Sequence, residues 1–491
     1  MDTRSILAID QGTTSTRVLR IDSAGRVARM ASRPVSTSYP ANGWAEQDPC
    51  ALMVSVTAAV AECLEEGAKP AAVAIANQRE TVVLWERRSG RPVSPAILWQ
   101  CRRSEPICSR LKDEGKESRL RELTGLPIDP LFSASKIAWL LENDGELRRR
   151  AGDGEIACGT IESWLIWNLT GGRQHVCEIG NAARTQLLDL ATCDWNQELL
   201  EVFGIPATML PRLVSSSEVV GHATVAGLEG VPIAGVLGDS HAALAGHGIF
   251  GPGAVKATYG TGSSLLTLTG EAQHRAGGLA STIAWYRKGR PAYALEGNIT
   301  MSGAAVHWLG RFLGLEKPVE EIVAMAATVE DSEGVAFVPA MAGLGAPHWD
   351  SEARGMICGL STSTRLAHLS RAAVESIAFQ VRDVFEAIRH EGKVIVETLC
   401  ADGGAAHNDW LMQFQADLLG CSVLRSSCED LSAMGAAYFA GLAIGVWSGS
   451  EEIRRLPQAT DRFEPRMGEP ERRRRTEAWR RAVERARSNA A

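Results

Sequence analysis

The residues able to do chemistry sit in short polar stretches between apolar runs. In Val231–Gly246 (VPIAGVLGDSHAALAG), a strand-length apolar run to Leu237 breaks at Gly238-Asp239, and small residues then continue at helical spacing. A carboxylate at such a break stands at the strand-end edge where open α/β sheets bind ligands. Asp239 there suits a general base taking a proton from a hydroxyl, a role worth on the order of 10²–10⁴-fold in rate. Asp is also a preferred helix N-cap, and position alone admits both readings. A second stretch, Asp10–Thr16 (DQGTTST), joins the expected strands Ser5–Ile9 and Arg17–Ile21. Gly12 permits a tight turn, and Thr13, Thr14 and Ser15 add hydroxyls to free backbone N–H groups, a combination that cradles phosphate. A plain hairpin has the same pattern. Arg79-Glu80, between strands Ala71–Ala76 and Thr81–Trp85, places donors beside an acceptor, as polyol hydroxyls require, although four polar residues between strands also make an ordinary exposed loop. Gly403-Gly404, after an expected strand Val394–Leu399 and before a long amphipathic helix, forms an anion site at a helix N-terminus.

These stretches need a frame. Ala96–Trp99 reads as a further strand, with Trp99 placed in the core more readily than on a ligand wall. Arg110–Gly154 is helical, interrupted at Thr124–Lys136, and Ile161–Leu169 reads as an amphipathic helix with two tryptophans. The glycine cluster Gly246–Gly253 marks a domain boundary and hinge, giving domains 1–250 and 251–491. Beyond it, strand Val255–Tyr259, turn Gly260–Ser264 and strand Leu265–Leu268 repeat the N-terminal strand, Gly/Thr turn and strand. Met301–Gly310 opens a helix, Asp430–Gly445 is a last small-residue helix, and Arg472–Arg475 with Trp479 reads as a solvated helix face.

Composition sets the outer limits. A chain of 491 residues, 45% hydrophobic and 22% charged, is an ordinary globular protein of more than one domain. A net charge of −7 argues against a nucleic-acid or anionic-membrane surface. Eleven cysteines without a CxxC pair fit reduced thiols. The opening MDTRSILAID is too short in its apolar run for a signal peptide, and no stretch reaches the ~18 apolar residues of a membrane span. A soluble, cytoplasmic protein is expected.

Read together and in order, Asp10-Gln-Gly-Thr-Thr-Ser, Asn77-Gln-Arg-Glu, Trp99-Gln-Cys-Arg-Arg, Gly238-Asp, Gly260-Thr-Gly, Gly343-Leu-Gly-Ala-Pro-His-Trp-Asp and Asp402-Gly-Gly resemble the FGGY carbohydrate kinases, and within them the glycerol kinase branch. The resemblance spans about residues 5 to 485. It implies an α/β fold of two ribonuclease-H-like (actin-like ATPase) domains, with ATP and a polyol meeting in the cleft between them. It implies that Asp10 organises Mg²⁺, and that Thr13, Thr14, Ser15 and Arg17 contact phosphates from one side. Thr261, Gly303, His307, Gly404 and Asn408 would hold the nucleotide from the other. Arg79, Glu80, Trp99, Leu131 and Ser240 would line the polyol site, with Asp239 as base. Phosphoryl transfer is mostly positioning and charge neutralisation, so the roles agree with the residue chemistry. A homodimer or homotetramer is compatible with the family.

The chain departs from the branch's pattern at several of these places. Ser240 and His241 follow Asp239 where the branch has Gln, Leu131 replaces a Tyr, Ser264 an aromatic residue, and His307 a nucleotide-side Gln. The loop Gly227–Gly235 lacks the Arg that takes a sugar-bisphosphate inhibitor in some glycerol kinases. A roomier, more polar pocket is therefore expected, favouring a polyol of four or five carbons over glycerol. The rival is an actin- or chaperone-like ATPase, which would keep both phosphate loops without needing Arg79, Glu80 and Asp239.

Overall fold

The computed structural model describes residues 4–64, 69–273 and 277–487. Ile6–Ile9 is continuously apolar, as a strand covered on both faces must be, and it forms β1 (Ser5–Gln11). β1 pairs antiparallel with β2 (Ser15–Asp22) and parallel with β3 (Ala72–Asn77). With β4 (Pro232–Gly238) and two flanking strands these make a six-stranded sheet in the order Ser217–His222, β4, β3, β1, β2, Val27–Pro34. Helix α1 (Asp239–Gly246) follows β4 directly.

The second half repeats the scheme. β5 (Ala254–Tyr259) pairs antiparallel with β6 (Ser263–Leu268), and β7 (Arg290–Ile299) extends the sheet beside β6. Helix α2 (Gly303–Phe312) comes next, and β8 (Thr398–Asp402) lies parallel to β5. A hairpin whose first strand also pairs in parallel with a later strand thus occurs in both halves, as the repeated sequence pattern predicts. The remaining elements used below are α3 (Asp409–Leu419), α4 (Leu431–Ala443) and α5 (Glu469–Ala486).

The halves share a core. Ile6, Leu237 and Leu244 cluster with Leu266 and Ala294 and with Ala436 and Phe439 of α4. Helix α4, although late in the chain, packs against α1 and the first sheet. A Cβ on Gly435 would stand 1.8 Å from the Ala242 carbonyl oxygen, so only glycine allows this approach.

Several expectations shift. The strand expected over Val394–Leu399 starts at Thr398, where its partner Ala254 begins; Lys393, left-handed at φ 50°, ends a 27-residue helix just before it. Only Ala96–Ile97 of Ala96–Trp99 pairs as strand. Ile161–Leu169 is a helix, but both faces are buried, between the first sheet's core and its neighbours, so it is not amphipathic in place. Gly403-Gly404 leads first into a short 3₁₀ turn, Gly404–His407, and only then into α3. The arginine run of α5 is not simply solvated. Arg472 donates Nε to the Asp417 carbonyl at 2.7 Å, Arg475 pairs with Glu375 and Glu471, and Trp479 is buried, donating Nε1 to Asp383 at 2.7 Å.

Candidate active site

Asp239 is the first residue of α1, with Gly238 as the N-cap. Its carboxylate accepts from the Ser240 N–H at 2.6 Å and makes no capping bond deeper in the helix, so the cap reading does not describe this side chain. Ser432 of α4 donates to the Asp239 carbonyl at 3.1 Å, fixing the backbone from the second half. The side chain remains 38% exposed, whereas those of Arg79 and Glu80 are 7% and 6% exposed.

The Arg79-Glu80 dipeptide is therefore a buried feature, not a loop surface. Arg79 Nε lies 3.4 Å from Asp239 Oδ1 and 4.0 Å from Glu80 Oε1. Its two terminal nitrogens donate to Glu296 of β7 at 2.9 and 2.6 Å, and Nη1 also meets His241 Nε2 at 3.2 Å. Glu80 takes its close partner from elsewhere, accepting from Arg184 Nε at 2.6 Å. Glu80 has φ 61°, an unusual backbone for a non-glycine residue. Its carbonyl is held by Ser133 Oγ at 3.1 Å and Lys136 Nζ at 3.3 Å. Lys136 also donates to the Leu131 carbonyl, tying Leu131 to the same corner. The Leu131 side chain is half-buried against Leu126, Phe132 and Ala280.

Ser240 Oγ is 3.3 Å from Ser264 Oγ, and buried Lys256 places Nζ 3.5 Å from Ser240 Oγ. Two of the positions where the sequence departs from the branch's pattern, Ser240 and Ser264, thus form one polar wall beside Asp239.

In the first half, Gly12–Thr14 is the turn of the β1–β2 hairpin, closed by Gly12 N–H donating to the Ser15 carbonyl at 3.0 Å. The turn is a hairpin, as the second of the two sequence readings has it: Thr14 is exposed at its tip, with Thr13 and Ser15 half-buried beside it. Arg17 pairs with Asp430 at 2.8 Å. Trp99, placed in the core by position alone and on the polyol wall by the resemblance, is 38% exposed and donates Nε1 to Thr13 Oγ1 at 3.0 Å. That bond ties the polar tip of the indole to the β1–β2 turn.

In the second half, the Gly260–Gly262 turn packs on the start of α2: Gly303 N–H donates to the Gly260 carbonyl at 3.0 Å, and Ser302 and Ala304 N–H groups to the Thr261 carbonyl at 2.9 and 3.0 Å. Gly403, at φ 93°, lies over Tyr259, where a Cβ would come 2.7 Å from the Tyr259 carbonyl oxygen. Gly404 is exposed beside it. Thr261, Gly303 and Gly404 thus surround the end of β5. Asn408 caps α3, its Oδ1 accepting from Leu411 N–H at 3.0 Å, which leaves its amide nitrogen for other partners. His307 lies exposed on α2.

Charge placement follows from burial. Asp10, at the end of β1, has its carboxyl pushed up to about 7 by burial and by nearby Asp239, against Arg17. Asp239 is raised by desolvation, with Arg79 opposing. Burial works against ionised Glu296 as well, but Arg184 and Arg79 overcome it and hold this carboxyl far below the usual range. Burial, helped by Arg79, keeps His241 neutral.

Arg184, Lys256 and Glu296 are the residues missed by reading the sequence. Each is a charge inside a buried run, and that mismatch is the signal for them: a full charge inside such a run must be paired.

Two family models cover the chain, the N-terminal domain of the FGGY family of carbohydrate kinases over residues 5–246 and the C-terminal domain over 255–444. The chain belongs to the FGGY family of carbohydrate kinases. This FGGY chain is 47% identical over 488 residues to glycerol kinase 2 of Thermotoga maritima, covering 98% of both chains. It is 48% identical over 489 residues to the glycerol kinase of Aromatoleum aromaticum, again covering 98% of both. Its fold matches the crystal structure of Plasmodium falciparum glycerol kinase with ADP at a TM-score of 0.93 and 32% identity, over 99% and 98% of the two chains. A gluconate kinase from Lactobacillus acidophilus, at 21% identity, shares the fold with a TM-score of 0.89 over 98% and 97% of the two chains. The FGGY fold assigns the two halves to the two-domain actin-like class, and the chain is an ATP-dependent kinase. Among the described residues, no helix is long and apolar enough to cross a membrane.

Proposed function

We propose that the protein transfers the γ-phosphoryl group of ATP to a terminal hydroxyl of a small polyol, with glycerol the acceptor that its similar relatives favour. The observation that carries this reading is Asp239: a half-exposed carboxylate at a strand-to-helix junction, beside Arg79 and near Glu80, where a general base can reach an acceptor hydroxyl. In this reading Arg79, Glu80, Trp99, Leu131 and Ser240 bound the acceptor. Thr13, Thr14, Ser15 and Arg17 approach the phosphates from the hairpin, and Thr261, Gly303, His307, Gly404 and Asn408 line the nucleotide side. Residues 1–250 and 251–491 act as the two bodies that close on the substrates, excluding water from the transfer.

The residues present fit Mg²⁺. Asp10 would supply a hard oxygen ligand, and burial first, then nearby Asp239, raises its carboxyl's affinity for a proton, a cost that a bound cation would relieve. Among the described residues, no group of three or more His, Cys, Asp or Glu could hold a metal. Mg²⁺ would neutralise charge developing between the phosphates. Asp10 would hold it, and Asp239 would receive the acceptor's proton.

The Ser240–Ser264 contact favours a second reading of the acceptor, a polyol of four or five carbons. Two hydroxyls and the Lys256 ammonium there can each bond an added CHOH group, for about 0.5–1.5 kcal/mol per hydrogen bond. A kcat/KM series over glycerol, erythritol, threitol, xylitol and ribitol tests both readings. A lead for glycerol establishes the first, a lead for a tetritol or pentitol the second, and turnover of none of them refutes the polyol assignment.

A further inference from the structure

Glu296 stands in the middle of β7, fully buried, in a run that is otherwise small or apolar up to Gly297. Ala294, two residues earlier on the same face, packs with Ile6, Leu237 and Leu244 of the first half. Glu296 therefore points across the boundary between the halves, and both of its cations come from the far side. Arg79 grips it with both terminal nitrogens, at 2.9 and 2.6 Å, and Arg184 Nη1 stands 3.0 Å away. Arg184, itself fully buried, passes the connection on to Glu80 at 2.6 Å. The ring closes where Arg79 Nε faces Glu80 at 4.0 Å and Asp239 at 3.4 Å.

This ring fixes what Arg79 can offer. Both ends of its fork are committed to Glu296, and a bidentate guanidinium–carboxylate pair sets the plane of the guanidinium as well as its position. Its orientation toward the cleft is then set by a residue of the opposite sheet. Glu80, in its left-handed backbone, is aimed by Arg184, which Glu296 also holds.

We infer that Glu296 is a positioning residue for the acceptor subsite: it holds Arg79 directly, and Glu80 through Arg184, in the orientation that meets the polyol, so that this subsite of the first half depends on a strand of the second. The inference rests on the reading of Arg79 and Glu80 as polyol contacts. Without the charge at Glu296, the nearest carboxylate for Arg79 is Asp239, and a guanidinium turned onto Asp239 both vacates the acceptor and covers the base.

The test uses the full chain with glycerol and erythritol as probes, measuring KM for polyol and for ATP separately. Glu296→Gln should raise the polyol KM about tenfold or more and lower kcat, with the ATP KM within about twofold of the parent, since the lost interaction is a buried charge pair serving one subsite. In an Arg79→Gln background the same substitution should raise the polyol KM by clearly less than it does in the parent, because the Arg79 arm is already lost and only the arm through Arg184 to Glu80 remains. Equal effects on both KM values, or equal effects in both backgrounds, would reduce Glu296 to a structural role and overturn the inference. An unchanged or lower polyol KM in Glu296→Gln, where Arg79→Gln alone raises it, overturns it too. An unchanged polyol KM in Arg79→Gln itself refutes the underlying reading of Arg79. If Glu296→Gln does not fold, Glu296→Asp decides. Its shorter carboxylate cannot hold both guanidiniums, and it should raise the polyol KM at least about threefold with the ATP KM unchanged. A polyol KM that does not move in that variant overturns the inference.

Discussion

Trp99 and Thr13 are joined side chain to side chain, the indole N–H donating to the threonine hydroxyl at 3.0 Å. In the proposed function the bond links the wall of the acceptor site to the turn that approaches phosphate. Trp99→Phe keeps most of the ring and removes the donor. It should raise KM for ATP as well as for polyol, each by about 2–10-fold, the span of one hydrogen bond worth 0.5–1.5 kcal/mol. Steady-state kinetics with each substrate varied in turn checks this; a change confined to the polyol KM would mean that Trp99 serves the acceptor wall alone.

Asp239→Asn preserves shape and removes the base. Turnover should fall by roughly 10²-fold or more. Binding of ATP, followed by its thermal stabilisation of the protein, should be retained. Near-normal kcat at saturating polyol would exclude Asp239 as the base.

Helix α1 reaches its place because Gly435 of α4 lets the Ala242 carbonyl approach. Gly435→Ala would put a methyl group into backbone at a point where neither helix can yield, an overpacking cost of about 1–3 kcal/mol or more. A lower melting temperature together with a lower kcat is expected, since the same shift displaces Asp239. Unchanged melting would show that the helices separate freely.

Lys136 carries a pH signature. Burial lowers its ammonium from 10.5 to about 8, while its three carbonyl partners include that of Glu80. Between pH 8 and 10.5 the unfolded chain retains a proton that the folded protein has released, so this group makes stability rise with pH across that window. Below pH 8 its cost is constant. The stability of the parent relative to Lys136→Met should therefore grow in the parent's favour between pH 8 and 10. Melting curves of the two proteins at pH 7, 8, 9 and 10 measure it, and a gap that narrows with pH contradicts the assignment.

Much of this was legible in the residues. Ile6–Ile9, Ala72–Ala76 and Ile233–Leu237 are apolar runs bounded by polar breaks, and they became strands of the first sheet, with the polar breaks at its active edge. Asp239 could be found because a carboxylate at a strand end is conspicuous. Glu296 could not be paired in the same way. Its partner Arg79 lies 217 residues away, and no local pattern records a contact made across two sheets. For Trp99, position alone favours the core and the family resemblance the polyol wall; the bond that keeps the indole partly exposed depends on Thr13, 86 residues earlier, which no local pattern records. The arginines of α5 were misjudged for the same reason: the acceptors of Arg472 and Arg475 belong to other elements.

The central claim is that phosphate leaves ATP for a hydroxyl of an acceptor and not for water. Phosphorus NMR of the full chain with ATP, Mg²⁺ and glycerol or erythritol measures this directly. A phosphate monoester of the polyol should accumulate in step with ADP, and ADP formation should be slow when no polyol is present, because closure of the site depends on the acceptor. ADP and inorganic phosphate released at the same rate with and without polyol, and no ester, would contradict the kinase mechanism and favour an actin- or chaperone-like ATPase.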